Sequence, residues 1–419
     1  MKVVIGILSI IMLLGQIDAC RAQTNVAFDG ALGFGQFTQG GKGGERYIVT
    51  SLADDPDSPQ PGTLRHAFKQ KGPRIVEFAV SGVIHLNAEL EIKHDNITVL
   101  GQTSPVGIVI TGAQTSIKAN QVILRYLRFR PGHWQGEGDA LTARNQQYII
   151  IDHCSLSWAN DEVASFYNNQ HFTLQHSIIA ESLRNAGHHK GSHGYGGIWG
   201  GAGASFLRNV VAHHDSRNPR VNGYRLKPRY PQEEALTDIR NNVFFNWGDN
   251  SGYGAEGTRF NLVNNYYKPG PASEDIRFFE LWSKTGLPAS QAFVSGNVMV
   301  GHDDLGADNR LGLKVKNQKK LKASDITARV NQTLNSRPFP IEPSQTLSAE
   351  EAYERLVISG DVGANKNASG QFRDSVDTRL LNEVRTGKPT SGTGLIDTEL
   401  TVLAPGGWEA YQREFVTSH

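Results

Sequence analysis

The stretch Tyr148-Ile149-Ile150-Ile151-Asp152-His153-Cys154 decides the fold, because a β-branched run stops at a polar tripeptide and that ending recurs along the chain. Asp152-His153-Cys154 is followed by Gln175-His176-Ser177, Arg208-Asn209-Val210, Asn241-Asn242-Val243, Asn264-Asn265-Tyr266 and Gly296-Asn297-Val298. The central His or Asn positions lie 23, 33, 33, 23 and 32 residues apart. One coil of a parallel β-helix needs three short strands and their turns, so the short step is a minimal coil and the longer ones carry an inserted loop. Asn and His close turns with their own side chains and tolerate left-handed backbone. Stacked coil on coil, they can bond to one another as a ladder. An antiparallel sandwich is the competing reading, but tight Asn-Gly hairpin signals are nearly absent here, Asn222-Gly223 excepted. The expectation is an all-β parallel β-helix over residues 23–304.

The flanks differ from this block. Met1-Lys2 and the apolar run Val3 to Leu14 read as a secretory signal over residues 1–22, too short to span a bilayer. Ile17-Asp18-Ala19-Cys20 loosely resembles a lipoprotein box, so a lipid anchor at Cys20 is the alternative to plain secretion or a periplasmic location. Cys154 is then the sole cysteine, expected buried and inert. Gly40-Gly41-Lys42-Gly43-Gly44 fails the phosphate-loop pattern and reads as a turn. Residues 305–419 fade into polar sequence with helical pieces, expected to pack on the solenoid as an irregular, partly helical extension. Ser348-Ala349-Glu350-Glu351 opens a capping box for a helix through Val357, and Asp374 to Leu380 predicts another.

Composition narrows the function. The 419 residues hold 42 Lys plus Arg against 41 Asp plus Glu, a net +1 that argues against nucleic acid as partner. With 38% hydrophobic residues and only 20% charged, the chain can build a core. The only long apolar run lies at the N-terminus, so an integral membrane protein is excluded and a monomer is the simplest state.

Three clusters of chemistry-bearing residues fall on the inserted loops. Glu137-Gly138-Asp139 precedes Asp161-Glu162 by close to one minimal coil, so both acidic pairs are expected on one face. Carboxylates gathered there repel one another unless a cation neutralises them, and an oxygen-only set prefers calcium. Arg217-Asn218-Pro219-Arg220 with Arg225, Lys227, Arg229 and the earlier Lys190 offers forks and ammonium groups for a polymer bearing carboxylates. His188, His189, His193, His213 and His214 form the third cluster. Zinc is conceivable there, but no helix is expected beneath them and no cysteine assists, so turn hydrogen bonds are preferred. Trp134, Trp158, Tyr195, Trp199, Trp247 and Tyr253 share these loops and supply flat faces of the kind that hold sugar rings.

These residues resemble the pectate lyases of polysaccharide lyase family 1, in particular secreted bacterial members. Ile150-Ile151-Asp152-His153 resembles the family's Val-Trp-Ile-Asp-His strand, and Glu137-Gly138-Asp139 its Asp-Gly-Asp calcium loop. Arg217-Asn218-Pro219-Arg220-Val221-Asn222 resembles its Arg-x-Pro-x-x-Arg segment, with Asn222 where the second arginine would stand. The openings Ala27 to Gly44 and Gly62-Thr63-Leu64-Arg65, and Arg373-Asp374 through Arg379, extend the likeness over nearly the whole mature chain. The resemblance implies a right-handed solenoid and cleavage of polygalacturonate by calcium-assisted β-elimination. It implies calcium at Glu137, Asp139, Asp161 and Glu162, Arg217 as catalytic base, and Lys190, Arg220 and Arg225 as substrate contacts. Two other classes stay open: a glycoside hydrolase using Asp161, Glu162 and Asp215, whose carboxyl spacing would decide it, and a non-catalytic glycan-binding protein.

Overall fold

The computed structural model describes residues 26–134, 136–341 and 346–416. The signal over 1–22 and the anchor at Cys20 lie outside the described residues. The chain winds as a right-handed parallel β-helix whose coils each contribute to three sheets. The first sheet stacks Arg74–Phe78, Ile97–Leu100, Val122–Arg125 and Gln147–Asp152 in parallel register and continues to Gln291–Ser295. The second has nine strands, from Gly82–His85 to Val298–Met299. The third runs from Leu90–Ile92 through Leu141–Arg144 to Leu313–Val315, so the last strand lies beyond residue 304. Ala164–Gln175 and Ile198–Leu207 are long enough to serve both the third sheet and the first, which joins those two into one 17-stranded sheet.

The core follows from period-2 alternation on this stack. Val76, Val99, Leu124, Ile151, Leu174, Phe206, Ile239 and Leu262 are register partners in succession, and all are buried. One inward row thus becomes a continuous apolar stripe, in which each residue buries its neighbours above and below.

The corner between the first and second sheets corrects the sequence alignment by one residue for its first two members. The left-handed position is occupied by Tyr126, His153, His176, Arg208, Asn241, Asn264 and Gly296 in turn. The ladder position is the next one: Cys154, Ser177, Asn209, Asn242, Asn265 and Asn297. Each ladder asparagine accepts from the backbone N–H of the member before it, as Asn242 Oδ1 does from Asn209 at 2.9 Å and Asn265 Oδ1 from Asn242 at 3.0 Å. His153 and His176 therefore do not belong to the ladder. They stack on each other at 4.7 Å, with Tyr126 on His153 at 4.9 Å. Cys154 is fully buried, and burial pushes its thiol up to about 12, in line with an inert role.

The glycine-rich N-terminal segment lies along the first sheet, bonded to it by contacts such as Gly35 N–H to Thr173 Oγ1 at 2.8 Å. A β-carbon on Gly41 would lie 1.8 Å from the carbonyl oxygen of Arg74, so this turn depends on glycine for close approach. The Ser348 capping box forms as expected and starts Ala349–Tyr353, continued by a wider turn over Glu354–Ile358. Asp374 caps Ser375–Thr386, a longer helix than the sequence predicts.

The C-terminal residues pack against the second sheet and its corner. Asp361 meets the histidine stack: Nε2 of His153 lies 3.2 Å from Asp361 Oδ1, and Arg355 Nε donates to Oδ2 at 2.7 Å. Although burial opposes it, Asp152 and Asp361 raise the imidazole of His153 above its ordinary value, while burial, reinforced by His153, drives His176 down to about 4. A raised histidine contributes stability that is complete below its unfolded value near 6.5 and is lost as pH rises through its folded value. Asp361→Asn is therefore expected to lower the thermal midpoint most at pH 6 and progressively less as pH rises toward 9 and His153 loses its proton. Equal losses at both pH values would show that the His153 pair contributes nothing.

Candidate active site

The turns entering the third sheet carry the site. Leu141 pairs with Ala164, which sets Asp139 beside Glu162; Glu162 bridges to Tyr195, and Tyr195 to Ser216. One oxygen each from Asp139, Asp161 and Glu162 lie within 4.8 Å of one another. The one-coil spacing read from the sequence thus brings three of the four acidic residues together. Asp139 Oδ1 accepts from the Glu162 N–H at 3.1 Å, and the Asp139 N–H donates to Gln114 Oε1 at 2.7 Å. Burial, reinforced by the charge of Asp161, pushes the Asp139 carboxyl up to about 8. A carboxylate held so high is one the surroundings leave short of positive charge.

Arg217 supplies part of that charge. Its Nη1 pairs with Glu162 Oε1, and its guanidinium lies over the Tyr195 ring at 4.3 Å. Its own backbone is left-handed (φ 60°), and its Nε is buried without a hydrogen-bond partner. The side chain keeps 23% of its surface exposed, so it faces outward from the solenoid rather than into the core.

No family model matches the chain. Known proteins do. A probable pectate lyase C from Aspergillus terreus is 32% identical over 420 residues, covering 97% of this chain and 86% of that one. A second, from Emericella nidulans, is 36% identical over 379 residues and covers 89% and 79%. The chain belongs to the pectate lyase family. Among solved structures, the major allergen from cedar pollen superposes with a TM-score of 0.58 at 18% identity, over 80% of this chain and 92% of the other, a likeness of fold.

Within this pectate lyase scaffold the remaining sequence candidates separate. Glu137 stands apart from the three carboxylates: its side chain pairs with His189 Nδ1 and lies 3.4 Å from His188 Nε2. Arg220 is buried, ion-paired to Glu256 at 2.7 Å and set 5.0 Å from the rings of both Tyr253 and Trp282. This arginine is held by an internal ion pair rather than standing free toward solvent. Arg225 is half-buried with its Nε unpartnered, and burial together with Arg220 and Arg217 lowers its guanidinium below the usual range. Lys190 is exposed on the longest inserted loop. Asn222, where the family carries arginine, is fully buried and donates to Asn168 Oδ1 at 2.8 Å.

The histidines divide as well. His213 and His214 are buried: His213 Nε2 lies 2.9 Å from Glu383 Oε2, and His214 bonds Ser182 Oγ and the Ile179 carbonyl. Of the aromatics, Trp158, Trp199 and Trp247 are core, whereas Tyr195 and Tyr253 face the arginines. Sequence reasoning missed Trp282, Glu256 and Lys316, whose Nζ sits 3.2 Å from the Trp282 ring centroid. The available signal was register, since Tyr253 pairs with Glu280 and Glu280 with Lys314 along the third sheet.

Proposed function

We propose that this chain is a secreted lyase that cleaves polygalacturonate by calcium-assisted β-elimination, with Arg217 as base, leaving unsaturated oligogalacturonides. The observation that carries the reading is the meeting of Arg217 with Glu162 on the face where Asp139 and Asp161 converge. The donor set fits a hard divalent cation: three carboxylates on adjacent turns, one of them driven up to about 8 by burial and the charge of Asp161. Asp139, Asp161 and Glu162 would hold calcium; Glu137, placed against two histidines, joins only if its loop moves. When bound, calcium neutralises the uronate carboxylate and the enolate-like charge that builds beside it.

The chain's own residues do the rest. Arg217 takes the proton from C5, which requires its release from Glu162 and the loss of a proton that a guanidinium ordinarily keeps. The reading therefore calls for an alkaline optimum. Arg225 holds a substrate carboxylate in the place vacated at Asn222, and Lys190 offers a second cation from the neighbouring loop. The catalytic solenoid runs as far as Leu313–Val315, and the residues beyond pack on its second sheet. Among the described residues no helix is long and apolar enough to cross a membrane.

One assay tests the whole proposal. Incubation with polygalacturonate is expected to raise ultraviolet absorbance as double bonds form, to stop on chelation and to resume with added calcium. New saturated ends without absorbance would identify hydrolysis, and binding with no new ends a glycan-binding protein.

A further inference from the structure

The third sheet runs on past the site, and its outward face changes character there. Arg220, Tyr253, Glu280 and Lys314 are successive register partners, out of phase with the buried Leu281 and Val315. Side chains two residues apart on a strand share a face, so Trp282 and Lys316 join that row. Three coil spacings put Lys314 roughly 14 Å from Arg220 along the sheet. The loop after Trp282 leads back to the site, where Lys284 Nζ donates to the Arg225 carbonyl at 2.9 Å.

Positive charge collects at this end. Arg277, Lys314, Lys316, Lys319 and Lys320 line a cleft of about 400 Å³ that holds only two carboxylates, Asp275 and Glu280. Asp275 pairs with Arg277 and Lys314, and Glu280 with Arg277 at 2.9 Å. Lys316, Lys319 and Lys320 are exposed and form no ion pair among the described residues. An aromatic ring holds Lys316 instead, its Nζ 3.2 Å from the Trp282 centroid. That ring is itself fixed, packed on Tyr253 at 4.6 Å and donating from Nε1 to Glu280 Oε1 at 2.8 Å. An indole face orients an ammonium without cancelling its charge, as a carboxylate would. The whole chain carries a net charge of only +1, so three uncompensated lysines in one cleft are a local concentration.

We propose that Lys316 on its Trp282 cradle, with Lys319 and Lys320, binds carboxylates of an acidic polysaccharide chain where it runs on from the Arg217 site. The identity of the polymer rests on the lyase reading; the charged surface does not. Continuity through Lys284 and Arg225 makes the occupant the same chain rather than a second ligand. The contact strengthens the hold on long chains equally before and during bond breaking, so it lowers KM and leaves kcat alone.

The test compares long polygalacturonate with trigalacturonate in the ultraviolet assay, because a trimer astride the Arg217 site extends at most two sugars toward the cleft. Lys316→Gln/Lys319→Gln/Lys320→Gln is expected to raise KM for the polymer about fivefold, the combined effect of three exposed ion pairs, with kcat and the kinetics of the trimer unchanged. Lys316→Arg alone should keep the wild-type KM, since an indole holds a guanidinium as well. An unchanged polymer KM in the triple variant overturns the proposal, as does an equal change for the trimer, which would place the effect at the Arg217 site. Should wild type form no unsaturated ends, the lyase reading fails by itself, and native gels cast with polygalacturonate judge the surface. Stronger retardation of wild type than of the triple variant supports it, and equal retardation removes it. Retardation of wild type that is as strong in gels cast with single-stranded DNA overturns the assignment to an acidic glycan.

Discussion

Arg217→Lys is expected to lower turnover of polygalacturonate by about 10²–10⁴-fold, the span that a positioned general base contributes, while leaving the fold intact. Lysine is the informative replacement because it keeps a cation beside Glu162, whose side chain is only 7% exposed and sits among two further carboxylates. Arg217→Ala removes that cation as well. Its expected result is the same loss of turnover, with a lower thermal midpoint in chelator that calcium restores. The pair of variants thus separates two roles of one side chain, charge balance in the resting site and proton removal during the reaction. The readout is ultraviolet absorbance at saturating calcium, beside a thermal melt of each protein. Turnover within tenfold of wild type in Arg217→Lys would move the base elsewhere, and Arg225, unpartnered at Nε and lowered by its cationic neighbours, would be the next candidate.

Much of this site was legible because a solenoid turns sequence spacing into distance. Residues one coil apart are neighbours, so Asp139 and Asp161–Glu162 could be placed together from a count, and the parallel strands from the recurring Asn endings. What spacing does not encode is which way a corner residue points. His153 and His176 match asparagine in type and period, yet they take the left-handed position, and Cys154 and Ser177 enter the ladder. Loop conformation was equally hidden: Glu137 is two residues from Asp139 but turns to His188 and His189. The ion pairing of Arg220 was hidden because its partner, Glu256, lies one coil later in a segment with no motif of its own. The five histidines divided for a similar reason, since burial against the second sheet claims His213 and His214 before any ligand can.

The C-terminal residues present the largest expected effect on stability. Arg128 and Arg130 leave the second sheet with fully buried side chains, and both meet Asp374, while Arg130 Nη2 also donates to Asp377 Oδ1 at 2.6 Å. The two guanidiniums hold the buried Asp374 carboxyl down to about 2, whereas burial and Asp374 push that of Asp377 upward. Asp374→Ala strips two buried cations of their shared partner and removes the cap that accepts from the Asp377 N–H at 2.9 Å. Breaking a buried pair typically costs about 3–5 kcal/mol, and loss of a cap about 1 kcal/mol more. Asp374→Asn keeps an oxygen for the cap but loses the charge and the acceptor facing the two arginines, so a penalty close to that of alanine would assign most of the loss to the ion pairs. Asp377→Asn is expected to be milder, because its carboxylate meets one guanidinium, that of Arg130, where Asp374 meets two. A carboxyl depressed on folding contributes stability that is present above its unfolded value and vanishes as pH falls through its folded one. The Asp374→Ala penalty should accordingly be full at pH 6 and shrink steadily as pH falls below about 4 toward 2. Urea unfolding at these pH values checks it, and a penalty under about 1 kcal/mol at pH 6 would mean that aromatic packing on Trp158, Trp408 and Tyr411, not this charge network, holds the extension to the solenoid.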